Sequence, residues 1–336
     1  MNIRIFLTLS LLTLCKFSLS ADHFRIIGYL PTYRFSTLEN LEVEKLTHLN
    51  LAFAQASYDG KLTLSGNFAY VVSRSKERNP DLKVLVSLAG GGIKGSTFAN
   101  WRRNMAPERK SEFVRQILDF VRKNNFDCVD VDLEWSNVTA EYPAFVAELS
   151  DSMRINNLEI SAAFPAMKLY SVLDPASLKM FDYINVMAYD NSGPWQPKVV
   201  RQHSSFELAK NSIDFWSEVC DLPKDKIVLG MPCYGWEFGK SVKSKTFSSL
   251  VNEKKEFAFT DNIRKIFYNS IPTIIEKTKM ARERCGGVML WEIGQDAVGD
   301  KGDYSLLHYV HTTALTEGRN FLPKIRKFTV EQSNES

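Results

Sequence analysis

Glu134 closes a row of four acids, Asp127, Asp130, Asp132 and Glu134, set into the otherwise apolar stretch FDCVDVDLEW at residues 126–135. Val, Leu and Trp suit a buried strand, whereas acids are among the residues least often buried without a partner. Alternate residues of a strand share a face. Asp130, Asp132 and Glu134 therefore project the same way, each roughly 6–7 Å beyond the last, and Val129, Val131 and Leu133 project the other way. Asp127 breaks this parity and is expected to serve the start of the strand. Three readings compete. Buried hydrogen-bonded carboxylates would explain one acid at low cost, but three in register are expensive. A Mg²⁺ or Ca²⁺ site is poorly served, because one straight strand wraps a cation badly and no second acidic motif completes the shell. Proton chemistry fits best. Crowded carboxyls cannot all ionise cheaply, so Asp130 and Asp132 should share a proton. Nearby charge should also raise Glu134 toward neutrality, as general-acid cleavage of a glycosidic bond requires.

Acids in register need a frame. Eight strand-like runs recur, at Arg25–Leu30, Leu46–Ala54, Lys83–Leu88, Asp127–Glu134, Leu158–Phe164, Phe181–Ala188, Lys226–Met231 and Gly287–Trp291. Helical patterns separate them. In residues 111–123 the apolar stripe Phe113, Val114, Ile117, Leu118 and Val121 marks one, with Asn124-Asn125 as its stop. Eight alternating units predict an α/β fold, a (β/α)₈ barrel with its chemistry at the C-terminal ends of the strands. An open doubly wound sheet is the structural alternative. Its nucleotide-binding form lacks the expected Gly-x-Gly-x-x-Gly after the first strand. The net charge of +3 and the absence of a long basic run give no support to nucleic-acid binding.

The acidic run Asp127-Cys128-Val129-Asp130-Val131-Asp132-Leu133-Glu134 matches the DxxDxDxE pattern of glycoside hydrolase family 18, which includes chitinases and endo-β-N-acetylglucosaminidases. Ser87-Leu88-Ala89-Gly90-Gly91 resembles the family's SxGG segment, with Ala89 in place of a glycine. Met187-Ala188-Tyr189-Asp190 matches its MxYD motif, and Gly230–Gly235 and Gly286–Glu292 resemble its last two strands. The resemblance covers nearly the whole chain after the N-terminus. It implies that Glu134 protonates the leaving oxygen and later activates water. It also implies that Asp132 orients the sugar's 2-acetamido group, whose oxygen is the nucleophile, and that Asp130 tunes Asp132. Tyr189 and Asp190 would contact the same sugar, with Met187 beside them, and no metal or organic cofactor is implied.

Trp291 ends the last strand, where an indole face can pack against a pyranose ring. Tyr29 and Tyr234 are candidate pocket walls, and Trp135 and Trp195 candidate outer subsites. The His residues show no metal spacing. Between Tyr234 and Gly286 lie only about fifty residues, the length of a loop and helix in an ordinary barrel unit. The expectation is thus a barrel without the α+β insertion between strands seven and eight, and an open, shallow cleft suited to endo attack. Partners would be an N-acetylglucosamine-containing polysaccharide or glycan, met by a monomer without a carbohydrate-binding module.

The N-terminus reads differently from the rest. A short basic start, the apolar run Ile5–Leu14 and Ser18-Leu19-Ser20 have the layout of a secretory signal at residues 1–20, too short to span a bilayer. The catalytic domain is then expected over 21–322 and a polar tail over 323–336. Secretion or a periplasmic or cell-surface location follows. Lipid anchoring through Cys15 is disfavoured by Leu14 before it. Cys128, Cys220, Cys233 and Cys285 lack metal spacing and read as small buried side chains, their disulfide pairing left open.

Overall fold

The computed structural model describes residues 24–298 and 303–316. The expected signal segment, Cys15 and the expected polar tail lie outside these residues. Eight parallel strands close on themselves: β1 (Arg25–Pro31), β2 (His48–Ala56), β4 (Lys83–Ala89), β5 (Cys128–Asp132), β6 (Glu159–Pro165), β7 (Tyr183–Met187), β8 (Ile227–Pro232) and β13 (Gly287–Trp291). Pairing of β1 with both β13 and β2 closes the ring, and the two-residue β3 (Leu62–Thr63) adds antiparallel to the end of β2. All eight predicted runs became barrel strands. The α-helices among the described residues are α1 (Phe68–Arg78), α2 (Gly95–Met105), α3 (Lys110–Lys123), α4 (Tyr142–Ile155), α5 (Phe206–Asp214), α6 (Phe247–Glu253), α7 (Ile271–Arg284) and α8 (Leu306–Leu315). None is long and apolar enough to cross a membrane, among the described residues.

Two apolar cores follow from strand parity. Val129, Val131 and Leu133 face outward into a large core shared with Phe113, Ile117 and Val121 of α3 and Phe145 and Leu149 of α4. A much smaller one, Ile27, Tyr29, Ala52, Tyr183, Val228 and Met289, fills the barrel lumen. Inward-facing positions are otherwise strongly polar: Asn50, Ser87, Asp130, Ser161 and Asn185 are all fully buried.

The connections depart from the expected alternation in two places. β1 to β2 and β6 to β7 are bridged by 3-10 helices, at Thr32–Asn40 and Pro175–Met180, rather than by α-helices. In the first, Phe35 and Leu38 are the buried pair, a spacing of three that suits a three-residue turn. The connection from β8 to β13 is also not a plain loop and helix. Strands β9 (Tyr234–Glu237), β10 (Lys243–Thr246), β11 (Asn262–Ile263) and β12 (Ile266–Phe267) form a small antiparallel sheet in the order β10-β9-β12-β11, with α6 beside it. A reduced α+β element thus stands where none was expected. Length misled here, since two-to-four-residue strands fit within fifty residues and show too little alternation to be read in sequence.

Asp127 serves the strand start, as its parity suggested. Its Oδ2 accepts from the Val84 N–H at 2.8 Å and its Oδ1 from Lys76 Nζ at 2.8 Å. Asp182 does the same two strands on, accepting from the Ile160 N–H at 2.8 Å. Each aspartate satisfies the amide of the second residue of the neighbouring strand, one residue before the ladder between the two strands begins. Replacing Asp127 with Ala should therefore cost about 1–2 kcal/mol of stability. Turnover per folded molecule should be unchanged. Chemical denaturation alongside a rate measurement checks both.

Candidate active site

Asp130 lies at the centre of the lumen with no solvent exposure and four donors on its carboxylate. Tyr29 Oη and Ser87 Oγ donate to Oδ2 at 2.7 and 2.6 Å, and Ser161 Oγ and Asn185 Nδ2 donate to Oδ1 at 2.7 and 3.2 Å. Burial raises its pKa, and the donors from Ser161, Ser87, Tyr29 and Asn185 oppose that rise. These uncharged O–H and N–H donors occupy the carboxylate, so it is not turned toward a cation. Among the described residues no group of His, Cys, Asp and Glu could hold a metal ion.

Asp132 stands one layer higher and almost fully buried, with Oδ1 lacking any hydrogen-bond partner. Burial, then the Glu134 and Asp130 charges, push its pKa well up. Glu134 follows the end of β5 in an extended conformation, at the mouth. Burial first, and the Asp190 charge second, push it up to about 7, against contacts from Asp132, the Gly91 N–H and Trp135 that pull down. The Asp132 and Glu134 side chains are in hydrogen-bonding contact, so one proton serves both. A Cβ at Gly91 would collide with Glu134 Oε1, which is why a glycine stands there.

The loop carrying Gly91 is held by residues that the sequence did not flag. Ala89, the residue standing for a glycine, has φ 74° and Gly90 φ 85°, a left-handed pair. Gln55 Nε2 donates to the Ala89 carbonyl at 2.6 Å, and Trp101 Nε1 donates to Gln55 Oε1 at 3.1 Å. Trp135 and Asp190 are also at positive φ, 55° and 59°. Three of the seven non-glycine residues at positive φ among the described residues thus lie around Glu134, and such strained positions can form part of a functional site.

Tyr189 folds over the mouth from the end of β7. Burial, then the Asp132 charge, push its hydroxyl well above its ordinary range, so it stays a donor. Asp190 Oδ1 accepts from Tyr234 Oη at 2.7 Å and Trp236 Nε1 at 2.9 Å, and lies 3.3 Å from His203 Nδ1. A cavity of about 590 Å³ opens here, lined by Glu134, Trp135, Met167, Met187, Tyr189, Asp190 and Trp195 among others. Trp135 and Trp195 are 54% and 53% exposed, on either side. A larger cavity of about 690 Å³ lies at the other end of the barrel, among Phe24, Lys45, Thr47 and Arg282. No acid of the row lines it, so charge rather than volume selects the site.

Trp291 is half-buried at the mouth, stacked on Phe53 with ring centroids 5.7 Å apart and 23° between planes. Glu292 beside it is anchored by Arg34 Nε at 3.1 Å and the Gly294 N–H at 2.8 Å. Two expectations are corrected. Tyr29 is 1% exposed and lies beneath Trp291, its hydroxyl spent on Asp130. Tyr234 is 5% exposed and holds Asp190 from behind. Both are supports rather than walls: Tyr29 points into the lumen from β1, below the mouth, and Tyr234 heads β9 of the small sheet, behind Asp190. Ser161, Asn185, His203 and Trp236 were missed. The first two carried a signal, as polar residues at inward positions of LEISAAF and FDYINVMA; Trp236 carried none. The four cysteines among the described residues are buried and free, with Cys128 Sγ 3.8 Å from Glu159 Oε2 at the base of the lumen.

A coupled acid pair at the C-terminal mouth of a parallel barrel is equipment suited to cutting glycosidic bonds. Residues 25–296 match the glycosyl hydrolases family 18, and the chain belongs to that family. It is similar to the family 18 chitinase ChiB from the chitin utilization locus of Flavobacterium johnsoniae. The two are 39% identical with a TM-score of 0.84, over 87% of this chain and 94% of that one. The class V chitinase of Arabidopsis thaliana is 25% identical over 299 residues, 80% of this chain and 77% of that protein. A chitinase-like effector of Moniliophthora roreri is 28% identical over 229 residues, 60% of this chain. The match spans just 55% of the effector's own length.

Glu134 yields a prediction about stability. Its folded pKa of about 7 exceeds its ordinary 4.5, so the folded state binds the proton more tightly. That contribution is complete below the ordinary value and is lost as pH rises through the folded one. Glu134→Gln cannot lose it. The melting temperature of the variant relative to the unsubstituted protein should therefore rise between pH 5 and pH 8, checked by thermal denaturation across about that range.

Proposed function

We propose that the protein is a retaining glycoside hydrolase that cleaves β-1,4 bonds next to N-acetylglucosamine, as an endo-acting chitinase. The observation that carries this reading is the graded column of carboxyls: Asp130 fully hydrogen-bonded, Asp132 buried with a free acceptor, and Glu134 pushed up to about 7 at an open groove. Glu134 is protonated across mildly acidic conditions and can donate to a leaving oxygen. Asp132 and Glu134 are two residues apart on one face of the chain, a spacing that sets the two carboxyls side by side rather than on opposite sides of a sugar, as an acid and a protein nucleophile would need. Catalysis assisted by the substrate's own acetamido oxygen fits that spacing. The unpartnered Oδ1 of Asp132 suits the acetamido N–H, and the Tyr189 hydroxyl suits the acetamido oxygen. Asp132 at once stabilises the positive charge that forms on the sugar, and Asp130 supplies the field that holds it there.

The groove supports endo attack, because exposed Trp135 and Trp195 flank it without closing it. The names of the relatives favour chitin. Export by the segment at 1–20 and a catalytic domain over 21–322 complete the proposal. Glu134→Gln should lower turnover of chito-oligosaccharides by at least about a hundredfold while oligomer binding is kept. A near-normal rate would remove Glu134 from the acid's role. Assay in parallel on a high-mannose glycoprotein separates the substrates: release of the glycan with no cut in chito-oligosaccharides would turn the reading to an endo-β-N-acetylglucosaminidase. Binding without turnover on either would make the protein a lectin.

A further inference from the structure

Lys277 of α7 is fully buried, and the contacts of its ammonium are all with neutral acceptors. Its Nζ donates to the Ser204 carbonyl at 2.8 Å, to Ser204 Oγ at 2.9 Å and to Asn269 Oδ1 at 2.8 Å. Three acceptors at these distances match the three N–H bonds of an ammonium. Burial pulls the group down to about 7, while the charge of Asp261 pulls it up. That carboxylate is itself engaged by the Ser270 N–H at 2.8 Å and Thr273 Oγ1 at 2.6 Å. Burying a lysine without a contacting carboxylate is costly, and a methionine would fill the same space. Packing alone therefore gives no account of it.

The three contacts converge on the backbone that carries the site. Ser204 Oγ, accepting from Lys277, donates its own proton to the Ala188 carbonyl at 2.7 Å, between Met187 and Tyr189. Asn269 Nδ2 donates to the Ser204 carbonyl at 2.7 Å, bracing the same peptide. His203, one residue earlier, sets its Nδ1 3.3 Å from Asp190 Oδ1 and its Nε2 3.3 Å from the Tyr234 carbonyl. The His203 carbonyl accepts from the Asn191 N–H at 3.0 Å. Residues 188–191 thus hang on the His203-Ser204 peptide, and that peptide hangs on Lys277.

We propose that Lys277 is a positioning residue that, through Ser204, fixes the backbone presenting Tyr189 and Asp190 to the sugar. The inference rests on the proposed function for its consequence in turnover, but not for the clamp itself. The clamp explains how a segment with Asp190 at φ 59° is held outside regular structure.

The test compares the unsubstituted protein with Lys277→Met and Ser204→Ala. The second variant removes the bond to Ala188 while leaving the Ser204 carbonyl and Asn269 Oδ1 for Lys277, so it decides the matter if the first does not fold. Amide hydrogen exchange is read on peptides spanning residues 187–191 and, as a control, 25–31. Exchange at 187–191 should quicken about tenfold or more with the control unchanged, as local opening requires. On chito-oligosaccharides kcat should fall between about tenfold and a hundredfold, with KM moving less, as for a misplaced site. Unchanged exchange at 187–191 in Ser204→Ala, or a lowered melting temperature with normal kcat, would overturn the proposal. If the unsubstituted protein cleaves no such oligosaccharide, the functional reading falls, and the exchange comparison still judges the clamp.

Discussion

A carboxylate at the centre of a barrel must be satisfied by the barrel itself. Asp130 of β5 draws its four donors from four other strands: Tyr29 from β1, Ser87 from β4, Ser161 from β6 and Asn185 from β7. No donor reaches it unless all five strands are in register, so the closure of the barrel and the solvation of this charge are one condition. Unpaired, the same charge would cost several kcal/mol. The polar lumen follows from this, since each donor occupies an inward position that other barrels of this architecture fill with branched apolar residues.

The rest of the site is graded by distance from that carboxylate. Asp130 has its hydrogen bonds complete. Asp132, above it, has burial and two neighbouring charges against ionisation and a free acceptor atom. Glu134, at the mouth, has the Asp190 charge nearby and a contact with Asp132. A polar column thus converts one well-solvated charge into a proton held where a substrate can reach it. The backbone around it departs from regular geometry at Ala89, Trp135 and Asp190, and each departure is held by neighbours: Gln55 and Trp101 at Ala89, the Tyr170 hydroxyl on the Trp135 N–H, and Tyr234, Trp236 and His203 at Asp190.

Much of this is legible in the amino-acid sequence. Apolar runs bounded by breaks mark the eight strands, and a period of two marks their inner and outer faces. That period places Asp130, Asp132 and Glu134 on one face and sets Asp127 apart. It leaves illegible what depends on how deep a residue sits. Tyr29 and Tyr234 are recognisable as near the site, but neither ring lines it: depth along a tilted barrel strand, set by the stagger of its neighbours, buries the first, and the small sheet that β9 joins places the second behind Asp190. The small sheet of β9 to β12 escapes because its strands are two to four residues long.

The sequence by itself determined the order of the elements, the row of acids and the residues at the ends of the barrel strands, because these rest on local spacing along one chain. Only the tertiary structure decided which of those residues face the groove and which stand behind it. The same holds for how the Asp130 charge is shared among strands 31 to 101 residues away in sequence, and for why Lys277 lies under the loop of Tyr189. Such contacts join residues far apart in the chain, and no local pattern encodes the distance between them once the ring has closed.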